Sequence, residues 1–180
     1  MPGKILVLTA VFVCGTRGAH AGTLRMGPVR APVSRLAFAT IAALSATPGT
    51  ISFSAANPNS GTVSGSSSGT VTWTVLLGSH LQHWTVGVQA GSATFVGCSS
   101  IPVSAVQVSC SSGSVSGGGG TAACSGSFPL STTLQTVAGG FEGDLVNSYS
   151  VSLNFTLAES WRYVAGSSCS ITLTYSVNAP

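Results

Sequence analysis

The run Tyr149-Ser150-Val151-Ser152-Leu153-Asn154-Phe155-Thr156-Leu157 decides how this chain folds. Every second residue is apolar, and those between carry hydroxyl or amide side chains. Successive side chains on a β-strand point to opposite faces, so this run buries one face and wets the other. The period returns toward the C-terminus, where Cys169, Ile171, Leu173, Tyr175 and Val177 alternate with Ser170, Thr172, Thr174 and Ser176. It returns toward the N-terminus as well. Val71, Trp73, Val75 and Leu77 alternate with Thr70, Thr72 and Thr74, and Trp84, Val86 and Val88 with Thr85, Gly87 and Gln89. Antiparallel sheets with one packed and one solvated face produce this pattern.

Weaker strands fit around these at Ile51–Ala55, Thr62–Ser64, Ala93–Cys98, Ser104–Cys110, Thr121–Ser125 and Thr133–Val137. Breakers separate them, among them Asn57-Pro58, Ser66–Gly69, Ile101-Pro102, Gly117–Gly120 and Gly139-Gly140. No amphipathic helix is expected after residue 46, and no fixed repeat suggests a solenoid or propeller. The expected fold is all-β: an antiparallel β-sandwich of about eight to ten short strands.

Composition agrees with this and narrows the function. Only 5% of the 180 residues are charged, against roughly a quarter in an ordinary soluble domain. That excludes a coiled coil and a charge-driven disordered chain. The net charge of +3 is localised: Lys4, Arg17, Arg25, Arg30 and Arg35 precede residue 36, and only Glu142, Asp144, Glu159 and Arg162 follow. The basic balance therefore belongs to the N-terminal segment. With no cluster of cations to meet phosphates, nucleic-acid partners are not expected. No apolar run reaches the roughly 20 residues of a membrane-spanning helix.

The runs ISFSAANP (51–58), VTWTV (71–75), HWTVGVQA (83–90) and CSITLTYSV (169–177) resemble bacterial extracellular immunoglobulin-like and pilin-like sandwich modules. The likeness spans most of 49–180 and is one of pattern. It departs from antibody-type domains, since Trp73 and Trp84 precede Cys98, Cys110, Cys124 and Cys169. The resemblance implies a surface or appendage component.

Residues 1–46 read as an export leader made of two signal-like segments. The first, 1–21, has Lys4, the apolar stretch Ile5–Val13 and the small-x-small site Ala19-His20-Ala21. The second, 26–46, has Met26, Arg30, Arg35 and the apolar core Leu36–Leu44. Residues 47–180 are then the single sandwich domain, expected to begin between about residues 45 and 49 in its exported form. The other reading of Leu36–Leu44 is a short buried helix or strand, which periodicity alone does not separate. Cys14 falls in the leader, which leaves Cys98, Cys110, Cys124 and Cys169. An even set behind an export signal reads as two disulfides in an oxidising compartment. Four cysteines allow three pairings. The preferred one joins Cys98 to Cys110 and Cys124 to Cys169, because Cys110 shares a face with Val106 and Val108, and Cys169 with Ile171 and Leu173.

Several motifs carry potential chemistry. Gly65-Ser66-Ser67-Ser68-Gly69 matches the nucleophile-elbow pattern, but that chemistry needs a strand-to-helix turn, a His and an acid. His80 and His83 stand three apart in a loop and lack a third ligand. Glu142-Gly143-Asp144, with Asn147 and Ser148 nearby, has the oxygens of a Ca²⁺ loop, yet such sites want six or more; a solvated hairpin turn is the expected reading. Asn154-Phe155-Thr156 matches a glycosylation sequon. Trp161 and Tyr163, flanking Arg162, are the candidate ligand or partner contacts, as an exposed aromatic pair can stack on a sugar.

No catalytic set, no metal site and no cofactor is therefore expected. The expected function is a secreted or cell-surface structural or interaction protein, stapled by disulfides, in an appendage, surface layer or matrix. The alternative is a carbohydrate-binding module using Trp161 and Tyr163. Expected partners are other copies of the chain through strand edges, other surface proteins, or polysaccharide.

Overall fold

A computed structural model describes residues 5–16, 20–26, 40–47, 52–53, 61–78, 82–158 and 168–179. The strands are β1 (Ile5–Thr16), β2 (His20–Met26), β3 (Thr40–Thr47), β4 (Ser52–Phe53), β5 (Thr62–Ser64), β6 (Gly69–Gly78), β7 (His83–Ala90), β8 (Thr94–Phe95), β9 (Cys98–Pro102), β10 (Val106–Gly117), β11 (Ala123–Cys124), β12 (Ser127–Pro129), β13 (Gln135–Phe141), β14 (Leu145–Ala158) and β15 (Ser168–Asn178). One sheet has the order β11-β13-β7-β15-β1-β2-β4 and the other β12-β10-β14-β6-β3, with β5 continuing the β6 side of β14. Strands β8 and β9 form a separate hairpin. Every pairing between named strands is antiparallel. Among the described residues there is no α-helix, only a 3-10 turn at Val103–Ala105.

The two sheets pack face to face through the apolar halves of the alternating runs. Val71, Trp73 and Val75 of β6, Tyr149, Val151, Leu153 and Phe155 of β14, and Val106 and Val108 of β10 are all buried. They meet Trp84, Val86 and Val88 of β7 and Ile171, Leu173, Tyr175 and Val177 of β15, in one continuous core. Each such side chain contributes about 1.5–3 kcal/mol when fully withdrawn from water. The all-β sandwich expected from period two is the architecture observed. The strand pattern differs in detail: β10 runs on through Ser111–Gly117, a Ser/Gly stretch with little apolar signal, because β14 offers it a continuous partner as far as Asn147. A bulge between Cys110 and Ser112 absorbs one residue of register on the way.

Of the two apolar segments assigned to the leader, Ile5–Val13 and the Thr40–Leu44 part of the second lie in the sheets. Strand β1 pairs with β15 from Ile5↔Asn178 to Gly15↔Ser168, and β3 pairs with β6 from Thr40↔Leu76 to Thr47↔Thr70. The composition that suits a signal core also suits a strand, since both favour runs of aliphatic residues.

At the centre of the core an aromatic trio joins the sheets. Trp73 and Tyr149 are opposite one another on β6 and β14, their rings stacked at 5.3 Å. Trp84 of the facing sheet meets Trp73 edge-on at 4.9 Å and Tyr149 at 5.4 Å. Its indole N–H donates to the Thr121 and Phe141 carbonyls at 3.1 and 3.2 Å. The Tyr175 hydroxyl, by contrast, is buried without a hydrogen-bond partner, and burial holds its pKa far above the usual 10.0. Such a group costs about 1–3 kcal/mol. Because its folded pKa is raised, its protonated form contributes stability below pH 10 that is lost as pH climbs above the unfolded value. Tyr175→Phe is expected to leave the fold intact and raise stability by roughly 1 kcal/mol at pH 7. Urea unfolding from pH 7 to 11 checks both points: the variant's advantage should widen above pH 10, and a variant less stable at every pH would contradict it.

Candidate functional site

The outer face of the β10-β14-β6-β3 sheet is built from the polar halves of the same runs. Register places Ser114, Ser150, Thr72 and Ser45 in one row across four strands, and Ser112, Ser152, Thr70 and Thr47 in the next. A third row has Ser116, Ser148 and Thr74, ending at Ala43. Neighbours in a row sit about 4.8 Å apart, the inter-strand spacing. Several hydroxyls bond across strands, Ser45 to Thr72 at 2.7 Å and Thr74 to Ser148 at 3.1 Å. A shallow concavity of about 510 Å³ lies over the first and third of these rows, with Ala43 at its rim. No charged residue lines it. The surface offers many neutral donors and acceptors and no group suited to acid–base work.

At one end of the sandwich, the turn Gly117–Gly120 packs against the loop Glu142–Asn147. Gly117, Gly119 and Gly120 have φ of +120°, +101° and +102°, values that favour glycine. The expected solvated hairpin at Glu142 is corrected here: Glu142 is 0% exposed, and Gly143 is buried beside it. Asp144 remains exposed. The Glu142 N–H donates to the Gln82 carbonyl at 2.9 Å, which draws the loop onto the start of β7. The Gly143 N–H donates to the Tyr149 hydroxyl at 2.8 Å. That hydroxyl is held above its usual pKa, first by burial, partly offset by the Gly143 bond, with the Glu142 carboxylate adding to the rise.

Asn147 is also 0% exposed. Its side-chain amide donates to the Asp144 carbonyl at 2.9 Å, which fixes its orientation. The oxygen Oδ1 is left without a hydrogen-bond donor, at a cost of about 1–3 kcal/mol. Sequence reading placed Asn147 near the acidic pair but had no signal for its burial, since Asn is a common residue of exposed turns.

Other sequence candidates fall as follows. Ser67 is exposed in the bend between β5 and β6, with no helix after it. His83 is exposed, its ring 4.0 Å from that of Phe141. The Asn154 side chain lies on the outer face and accepts a hydrogen bond from the Ser68 hydroxyl at 2.6 Å. Trp161, Tyr163 and His80 lie outside the described residues. No group of three His, Cys, Asp or Glu side chains gathers among the described residues, and no helix among them is long and apolar enough to cross a membrane.

The four cysteines form two disulfides, but the pairing differs from the expected one. Cys98 joins Cys169 and Cys110 joins Cys124, with Cα separations of 5.2 and 5.3 Å. The expected pairing, Cys98 with Cys110 and Cys124 with Cys169, rested on the faces that Cys110 and Cys169 share with apolar neighbours. Long-range contacts decide otherwise: Val96 and Ser170 exchange two backbone hydrogen bonds, 2.7 and 2.9 Å, which set the β8-β9 hairpin against the start of β15. Cys98 then faces Cys169, both buried. Cys110, on β10 of one sheet, is left to meet Cys124, on edge strand β11 of the other, so this bond ties the two sheets together.

No protein-family model, no curated protein and no solved structure matches the chain. The geometry is therefore the basis for function, and the disulfides are its most direct check. Non-reducing peptide mapping is expected to recover Cys98 with Cys169 and Cys110 with Cys124. Closing loops of 71 and 14 residues contributes about 4 and about 3 kcal/mol. Replacing Cys110 and Cys124 together by Ser should lower stability by the smaller amount, and replacing Cys98 and Cys169 by the larger.

Proposed function

We propose that this chain is an exported structural or interaction protein of the cell surface, a disulfide-stapled sandwich of the immunoglobulin-like or pilin-like kind, without catalysis. The observation that carries the reading is the uncharged, hydroxyl-tiled outer face over a core stapled by two disulfides. Such a face is wetted without repelling neutral neighbours. Disulfides of this kind persist in oxidising compartments.

Strand edges supply the route to self-association. Three of the four sheet edges are only two or three residues long: β11, β4 and β12, the last ending in Pro129. Short edges and proline blunt pairing with other chains. The fourth edge is β3, eight residues long, and the N-terminal strands cover the longer ones behind them, β1 on β15 and β3 on β6. Cleavage of the leader near residue 46 would strip both and expose β15 and β6, neither of which carries a charge. It would also remove β2, the strand with which Ser52–Phe53 pairs. The segment Thr47–Asn57 is then the donor for the open edge of a second copy, by strand addition.

The test compares two forms by sedimentation and negative-stain imaging. The chain retaining residues 1–46 should stay monomeric, and the form beginning near residue 47 should assemble. A processed form that sediments as a monomer at high concentration, and for which deletion of 47–57 alters only stability, would defeat the reading. Retention of that monomer on a polysaccharide column would point instead to the carbohydrate-binding alternative, which rests on Trp161 and Tyr163.

A further inference from the structure

We propose that the end of the sandwich where the Gly117–Gly120 turn meets the Glu142–Asn147 loop is a calcium site, with Asn147 Oδ1 and the Glu142 carboxylate among its ligands. The leading observation is the orphaned oxygen. Asn147 is wholly buried, its amide nitrogen is committed to the Asp144 carbonyl, and its Oδ1 faces the glycine turn with no donor. Glycines let the backbone approach that oxygen closely. A methyl group on Gly143 would stand 2.8 Å from Oδ1, and one on Gly117 would stand 3.0 Å from it. These two positions and Gly118 bring main-chain carbonyls close: that of Gly119 against Gly143, that of Asp144 against Gly118, and that of Val146 against Gly117. Two carboxylates, Glu142 and Asp144, flank Gly143 in sequence.

A buried amide oxygen, main-chain carbonyls and carboxylates are hard oxygen donors, the set that calcium takes six to eight at a time in flexible geometry. Magnesium demands near-ideal octahedral placement and retains its waters, so it suits this irregular loop less well. Zinc would need His or Cys side chains, and no such group of three exists among the described residues. Asp144 is exposed and sets a carboxylate on the solvent side of the loop. A calcium bound here would tie β10 to β14 at the end of the sheet opposite the β10-β12 pairing.

Terbium is the probe, because it replaces calcium and is excited through nearby indole and phenol rings; Tyr149 and Trp84 border this loop. The full chain, excited in the aromatic band, should give terbium emission that calcium displaces with a midpoint on the order of 10⁻⁴–10⁻³ M, the range of extracellular modules. Asn147→Asp adds a charged oxygen ligand and should lower that midpoint by about tenfold, while Glu142→Gln should raise it by about tenfold. A strictly structural Asn147 predicts otherwise: the Asp variant would be destabilised equally with and without calcium. Should Asn147→Asp fail to fold in calcium-free buffer, recovery of its near-ultraviolet aromatic dichroism on adding calcium supports the site. Absence of calcium-displaceable emission up to about 10 mM, midpoints unchanged in both variants, or no recovery by calcium would each overturn it, leaving a bound water as the partner of Oδ1.

Discussion

The packing of Trp84 against Trp73 and Tyr149 is the contact on which the rest of the structure depends. Trp73 and Tyr149 lie side by side on one sheet, and Trp84 reaches them from the other. Large aromatics fill the gap between sheets at their fixed spacing of about 10 Å, which smaller side chains would leave void. The trio also organises one end of the molecule. The Trp84 indole N–H holds the carbonyls of Thr121 and Phe141, and the Tyr149 hydroxyl holds the Gly143 N–H. The glycine turn and the acidic loop are thus both fastened to core residues rather than left as surface connections. That fastening is why Glu142 and Asn147 end up buried.

Much of the fold was legible because period two is a direct image of a half-buried strand. Tyr149–Leu157 and Cys169–Val177 were read as strands with their inward residues correctly assigned, and Val71–Val75 and Trp84–Val88 likewise. Less was legible where position depends on distant partners. The disulfide pairing turned on the Val96–Ser170 bridge, a contact between residues far apart in sequence that no local pattern encodes. The burial of Glu142 was hidden for a related reason. An acidic residue between Phe141 and Gly143 reads locally as a turn, whereas the Gln82 carbonyl and the glycine turn, both distant in sequence, lie against this loop. The apolar segments near the N-terminus show the opposite difficulty, since a signal core and a strand share one composition.

The functional reading follows from what the sheets leave outside. Period two leaves the hydroxyl half of each alternating run outside, so the outer face of the β10-β14-β6-β3 sheet is polar without being charged. Charges elsewhere are too few to keep copies apart by repulsion. In the proposed function, control of association falls to geometry, through short edges and the N-terminal strands laid over β15 and β6. The acidic loop is the exception to this neutrality, with Glu142 and Asp144 flanking Gly143 at the end where the Asn147 amide oxygen is buried without a donor.

The central claim is that the aromatic trio couples the two sheets, and a double-mutant cycle tests it most directly. Trp73→Leu, Trp84→Leu and the double variant are compared with the parent by chemical unfolding. Aromatic pairs in contact contribute about 0.5–1.5 kcal/mol beyond the area they bury, and coupled sites show it as non-additivity. The account predicts that the double variant loses less stability than the two single losses combined, by about that amount. Strict additivity within about 0.3 kcal/mol would show that the two indoles are energetically independent and would contradict it.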